Sequence, residues 1–111
     1  MAIGDRTPTE IVAPTPITAT AATYYTNTST NRVQVLEIWL CNTGASSRIV
    51  TLFKNGLAVG NQIANSITLP ANTATQIPAH LVLTGTQTLG AKQDVGTDVN
   101  IAIYGIVEQI A

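Results

Sequence analysis

One imidazole, one thiol and six carboxylates are the side chains of this 111-residue chain best suited to nucleophilic, acid–base or metal chemistry. His80 stands between Ala79 and Leu81 just after a proline. A metal or nucleophile site would pair it with a second His, a Cys or a carboxylate at a fixed spacing, and no HxH, HExxH or Cys/His pattern occurs. His80 therefore reads as structural. Cys41 is unaccompanied, which excludes an intrachain disulfide and a Cys-based zinc site within one subunit. Asp94 and Asp98, in QDVGTDVN, carry the arrangement nearest to a calcium loop, because hard cations prefer clustered oxygens. A loop of this kind also caps hairpins, and no metal site is assigned to it. Gly85, Gly90, Gly96 and Gly105 follow neither the dinucleotide nor the P-loop spacing, and no helical pattern follows them to receive a phosphate. Ser and Thr are abundant but lack a paired general base. The chain reads as a non-enzyme, with no catalytic residue and no cofactor.

What remains is surface chemistry. Trp39 and the pair Tyr24-Tyr25 are three of only five aromatic residues, and such side chains are concentrated at core edges and interfaces. The same three could stack on sugar rings, so a carbohydrate-binding module stands as an alternative. Ile11, Val12, Pro14 and Pro16 give the N-terminal segment apolar surface to bury. Together with Tyr24, Tyr25 and Trp39 they form the candidate interface set. Glu37 lies inside the most apolar stretch. Either it faces solvent beside Trp39 and Cys41, or it pairs across an interface with an Arg such as Arg32 or Arg48 of a neighbour.

Charge balance narrows the partners. Five Lys and Arg face six Asp and Glu, for a net charge of −1. That balance lacks the basic excess that phosphate neutralisation requires, so nucleic acid is not expected. The longest apolar stretch, Val33 to Cys41, is interrupted by Gln34 and Glu37, well short of the roughly 18 apolar residues of a spanning helix. The N-terminus lacks the basic and apolar regions of a secretory signal, which predicts synthesis in the cytoplasm. Charged residues make up 10% of the chain against 45% hydrophobic, where soluble domains average roughly 25% charged. Thr and Asn fill the gap. Low charge with ordinary apolar content predicts a folded chain.

The elements that must position these residues are strands. Residues 1–16 hold prolines at 8, 14 and 16 and no apolar period, which predicts an extended arm able to reach roughly 50 Å. Residues 17–111 form the folded domain. There β-branched residues dominate, and turn chemistry punctuates every few residues. Arg32 to Cys41 is the clearest strand. Leu36, Ile38 and Leu40 share one phase while Val33 and Val35 lie on the other, which predicts a bulge near Val35 and Leu36 or a first half buried on both faces. Asn55-Gly56 predicts a hairpin after Arg48 to Lys54. Residues 57–65 read as an edge strand or a connection, 66–69 as a strand, and 73–77 as a strand ended by Pro78, with a helical turn or strand over 79–83. Thr88 to Gln93 is expected to pair with Val99 to Val107 across DVGTD. In that last strand Val99, Ile101 and Ile103 face opposite to Asn100, Ala102 and Tyr104, and Gly105 marks a second bulge. Seven or eight such strands predict an all-β, antiparallel β-sandwich, jelly-roll-like, with an extended N-terminal arm.

The run LEIWLCNTGASSRIVTLFKNG, then LPANTATQI, LVLTGTQTLGAKQ and VNIAIYGIVEQ, resembles a group of small tailed-bacteriophage virion proteins. Those chains carry a LxLCNTxxxxxTVTL strand-turn-strand, an IPANxT turn, LVLxxGDxLxAKA and a final VNVxxxGVE. The resemblance covers about residues 23–108 in order. Thr86-Gln87 departs from the acidic turn common in the group, and Asn55-Gly56 shortens the loop after the second strand. The resemblance implies a structural protein of the virion: a capsid decoration (cement) protein, or a tail- or fibre-associated subunit. It further implies self-association, with a homotrimer as the expected state, and contact with the major capsid protein or tail proteins. Neither nucleic acid nor membrane is an expected partner.

Overall fold

The structure, a computed structural model, describes residues 2–111; Met1, the first residue of the expected arm, lies outside the described residues. Eight strands follow in order: β1 (Arg6–Pro16), β2 (Ala22–Thr26), β3 (Asn31–Asn42), β4 (Arg48–Lys54), β5 (Gln62–Leu69), β6 (Thr73–Leu83), β7 (Thr88–Gln93) and β8 (Val99–Gln109). A 3-10 turn at Val59–Asn61 precedes β5. The strands form two four-stranded sheets of order β1-β8-β3-β6 and β2-β7-β4-β5, and every pairing is antiparallel. Only β4 and β5 are both consecutive and paired; every other connection crosses between sheets, the wiring of a jelly roll.

Alternation along the strands builds the core. On β8, Val99, Ile101, Ile103 and Val107 are buried inward. On β3, Val33, Val35, Ile38 and Leu40 do the same and meet Val50 and Leu52 of β4 and Leu89 of β7 in one cluster. Three buried polar side chains serve the connections. Asn42 donates to the carbonyls of Ser46 (2.8 Å), Leu69 (3.2 Å) and Pro70 (3.3 Å) and accepts the Gly44 N–H (2.9 Å). Asn27 donates to Asn31 (2.8 Å) and Gly85 (3.1 Å), and Gln93 donates to Ile17. Uncharged amides thus satisfy backbone groups at the sheet crossovers, where an ion would carry a large desolvation cost.

Several expectations change. The N-terminal segment is extended, but residues 6–16 are β1, hydrogen-bonded along β8 as an edge strand. Prolines fit there because an edge strand has one ladder to satisfy, so a missing N–H can face outward. For the same reason β6 runs unbroken through Pro78. The expected β7–β8 hairpin does not form: the two strands belong to different sheets, and DVGTD is a crossover. Asn55 and Gly56 do take positive φ, 60° and 140°, yet they open a connection spanning 55–61, longer than a two-residue turn.

The bulge expected near Val35 and Leu36 is present. Both ladders of β3 slip between Val35 and Glu37: against β8 Leu36 is the extra residue, while against β6 the extra residue lies on β6, where Ala79 and His80 stand opposite Leu36. Leu36 consequently points outward at 45% exposure instead of sharing the core with Ile38 and Leu40. Gly105 lies opposite. A Cβ there would overlap the Gln34 carbonyl oxygen and sit 2.7 Å from Ile11 Cδ1, so only glycine admits β1 and β3 this closely on either side of β8.

Candidate functional site

The outer face of the β1-β8-β3-β6 sheet carries the tryptophan and two further exposed apolar side chains. Past the Leu36 bulge, β3 presents Glu37, Trp39 and Cys41 outward, beside Ala102 and Tyr104 of β8 and Gln76 of β6. Leu36 (45%), Trp39 (38%) and Val82 (46%) are its exposed large apolar side chains. Trp39 is held in place: its Nε1–H donates to Glu37 Oε1 at 3.0 Å, and Gln76 Nε2 donates to the other Glu37 oxygen. Glu37 therefore faces outward, and both oxygens are occupied by its own chain.

Three shallow depressions surround this centre. One, of about 290 Å³, lies between Pro14, Trp39, Asn100 and Tyr104. The next, of about 500 Å³, shares Tyr104 and runs past Glu37 and Leu36 to Pro8. A third, of about 120 Å³, lies between Leu36, His80 and Val82. They form one continuous relief across the sheet, not an enclosed cleft.

The predicted interface residues divide. Trp39 is on this face, and Pro14 lines it. Pro16 is exposed at the end of β1. Val12, by contrast, is 6% exposed and packs in the core of its own chain, with Ile11 half-buried against it; the inward phase of β1 places it there. Tyr24 and Tyr25 are also turned toward the core. Burial pushes the Tyr25 hydroxyl above its ordinary pKa, and that hydroxyl donates to Asn27 Oδ1 at 3.3 Å. No three-aromatic platform exists, because two of its members pack inward. Tyr104, which the sequence reading did not single out, stands next to Trp39 instead. Its outward phase in VNIAIYGIV was the available signal.

Several ionised groups are spent on internal ties. Arg32 pairs with Glu108 at 2.8 Å and Arg48 with Asp98 at 3.0 Å. Neither Arg reaches Glu37. Asp94 accepts the Ile49 N–H at 3.0 Å, and this bond chiefly holds its carboxyl below the usual aspartate range, with Arg48 adding a smaller pull. The two aspartates of the calcium-like loop are thus committed to a guanidinium and a backbone amide. Among the described residues, no group of three or more His, Cys, Asp and Glu side chains is placed to hold a metal. No helix among them is long and apolar enough to cross a membrane.

No protein family matches the chain, and no curated relative matches it. Solved structures do. A subunit of Bacillus endospore appendages, described as disulfide-linked pili, superposes with a TM-score of 0.59 at 13% identity, over 99% of this chain and 93% of that one. The coat protein of tobacco streak virus superposes with a TM-score of 0.54 at 11% identity, over 96% of this chain and 86% of the other. At such identities the likeness shows the fold alone: this chain is an antiparallel β-sandwich of jelly-roll type.

Proposed function

We propose that the chain is a structural subunit of a bacteriophage particle, most specifically a capsid decoration (cement) protein that binds the outer shell and neighbouring copies of itself. The observation that carries this reading is the outer face of the β1-β8-β3-β6 sheet, where Trp39, fixed by Glu37, stands beside Ala102 and Tyr104, with exposed Leu36 and Val82 farther along the same face. A rigid, partly exposed aromatic is what a protein contact uses as an anchor. The sharing of the fold with a virus coat protein supports a particle role, as does the resemblance over residues 23–108. A homotrimer suits the reading, since closed rotational symmetry buries one patch per copy without leaving an open end. The site has binding chemistry and no reacting group, so the role is assembly, with the particle as location and the capsid protein as partner.

A second reading, a tail or fibre subunit, draws on the pilus subunit, whose fold this chain matches over nearly its whole length. Copy number in purified particles separates the two. A count on the scale of the shell lattice supports decoration, and a count on the scale of one ring or fibre supports the tail. Absence from particles overturns both.

A further inference from the structure

The β1–β8 ladder slips twice, once at Ile11 and again between Val12 and Thr15. Arg6 to Glu10 pair residue by residue with Glu108 to Tyr104, and Val12 with Ile103; the register then slips, and Thr15 and Pro16 pair with Ile101 and Asn100. The second piece is locked into the sandwich through Ile17, which is fully buried. Its N–H donates to the Val99 carbonyl at 2.8 Å, and its own carbonyl accepts from buried Gln93. The first piece is held by its ladder, by Val12 buried in the core with Ile11 packed half-buried beside it, and by Arg6 donating to Gln34 Oε1 at 3.1 Å. Between them lies the exposed pair Ala13–Pro14.

What the first piece covers cannot be left open. β8 is an interior strand of eleven residues without a proline, and Glu108 near its end is its one charged side chain. Stripped of β1, it would offer a long apolar edge with a row of unpaired amides and carbonyls. The segment that covers it need not come from the same chain. Residues 2–12 of any copy present the same ladder and the same Val12, so exchange between copies changes little beyond the hinge. Pro14 and Pro16 bias Ala13 and Thr15 toward extended backbone, the conformation that the closed and the exchanged forms both use, so exchange needs no refolding of the hinge. We propose that residues 2–12 hinge at Ala13–Pro14 and pair with β8 of a second copy, linking subunits by a swapped edge strand. This rests on the reading of the chain as an assembling subunit.

Pro8 and Ile106 face each other across β1 and β8, and neither is in the buried core. Two variants, both carrying Cys41→Ala, receive one cysteine each: Pro8→Cys in one, Ile106→Cys in the other. They are mixed at the concentration where wild type assembles, and oxidised. A disulfide-linked heterodimer as the main covalent product is the expected result. A double variant with both cysteines, oxidised as dilute monomer, shows that the pair can close; if it does not, Val12→Cys with Ile103→Cys replaces it. Assembly by sedimentation with no heterodimer overturns the exchange and leaves the assembling role intact. A wild-type chain that stays monomeric at every concentration overturns both.

Discussion

Trp39 and Glu37, two residues apart on one strand, are bonded side chain to side chain on the outer face, with the indole N–H donating to the carboxylate at 3.0 Å. The pairing depends on the Leu36 bulge, which resets the phase of β3 so that both residues point outward while Ile38 and Leu40 point in. A freely turning tryptophan would lose rotamer entropy on binding; this one has already lost it.

Trp39→Ala should therefore leave the fold intact and weaken association. At a buried anchor the loss is about 2 kcal/mol, more than tenfold in affinity. Sedimentation across a concentration series, with circular dichroism as the control on folding, measures it. Glu37→Gln keeps an acceptor for the indole and should cost less than Trp39→Ala.

Gly105→Ala should cost about 2–3 kcal/mol, because a methyl group there overlaps the Gln34 carbonyl and crowds Ile11. Thermal melting should show a fall of roughly 10 °C or more. An unchanged melting temperature would mean that β1 and β3 do not flank Gly105 this closely.

Asn42→Ala removes a donor shared by three carbonyls and leaves them in a buried site. A loss of about 2–3 kcal/mol is expected by urea denaturation. Asn65→Ala, at an exposed position of β5, should stay within about 0.5 kcal/mol and serves as the comparison.

The pH dependence follows from two groups. The Asp94 carboxyl titrates below its ordinary value in the folded chain, so it contributes stability that is present above pH ~4 and lost as pH falls through the lowered value. The Tyr25 hydroxyl titrates above its ordinary value, so its contribution is present below pH ~10 and lost as pH rises through the raised value. Asp94→Asn should flatten the acid limb of the stability curve, and Tyr25→Phe the alkaline limb.

Deleting residues 2–16 should produce an aggregating chain instead of a stable trimmed sandwich, because the cut bares β8 along its length. Light scattering during refolding reads this directly. A soluble, folded truncation would show that β8 tolerates an open edge.

The strands legible in the sequence are those whose alternation reports a buried face: β3, β4, β7 and β8. Even the phase break at Leu36 was visible there, because apolar residues changed parity within one strand. β1 and the middle of β6 were not legible, since proline says only that a ladder bond is missing and not that the strand lies at an edge where the loss is harmless. The sheet assignment of β7 and β8 was hidden for a different reason. A short Gly/Asp connection reads alike whether it reverses a chain within one sheet or carries it across to the other, and only long-range packing decides. On the outer face, Trp39 stood out by its type. Tyr24 and Tyr25 misled because adjacent aromatics at the start of a short strand give no parity signal, while Tyr104 was overlooked inside an apolar run.

The sheets end in four edges, each blunted differently. β1 carries three prolines, β6 carries one, β2 is only five residues long, and β5 is kinked at Ser66, where φ is 60°. An unfolded chain colliding with any of them finds no long, straight template on which to add a strand. Such a molecule can be held at high concentration with its sheet edges unfused.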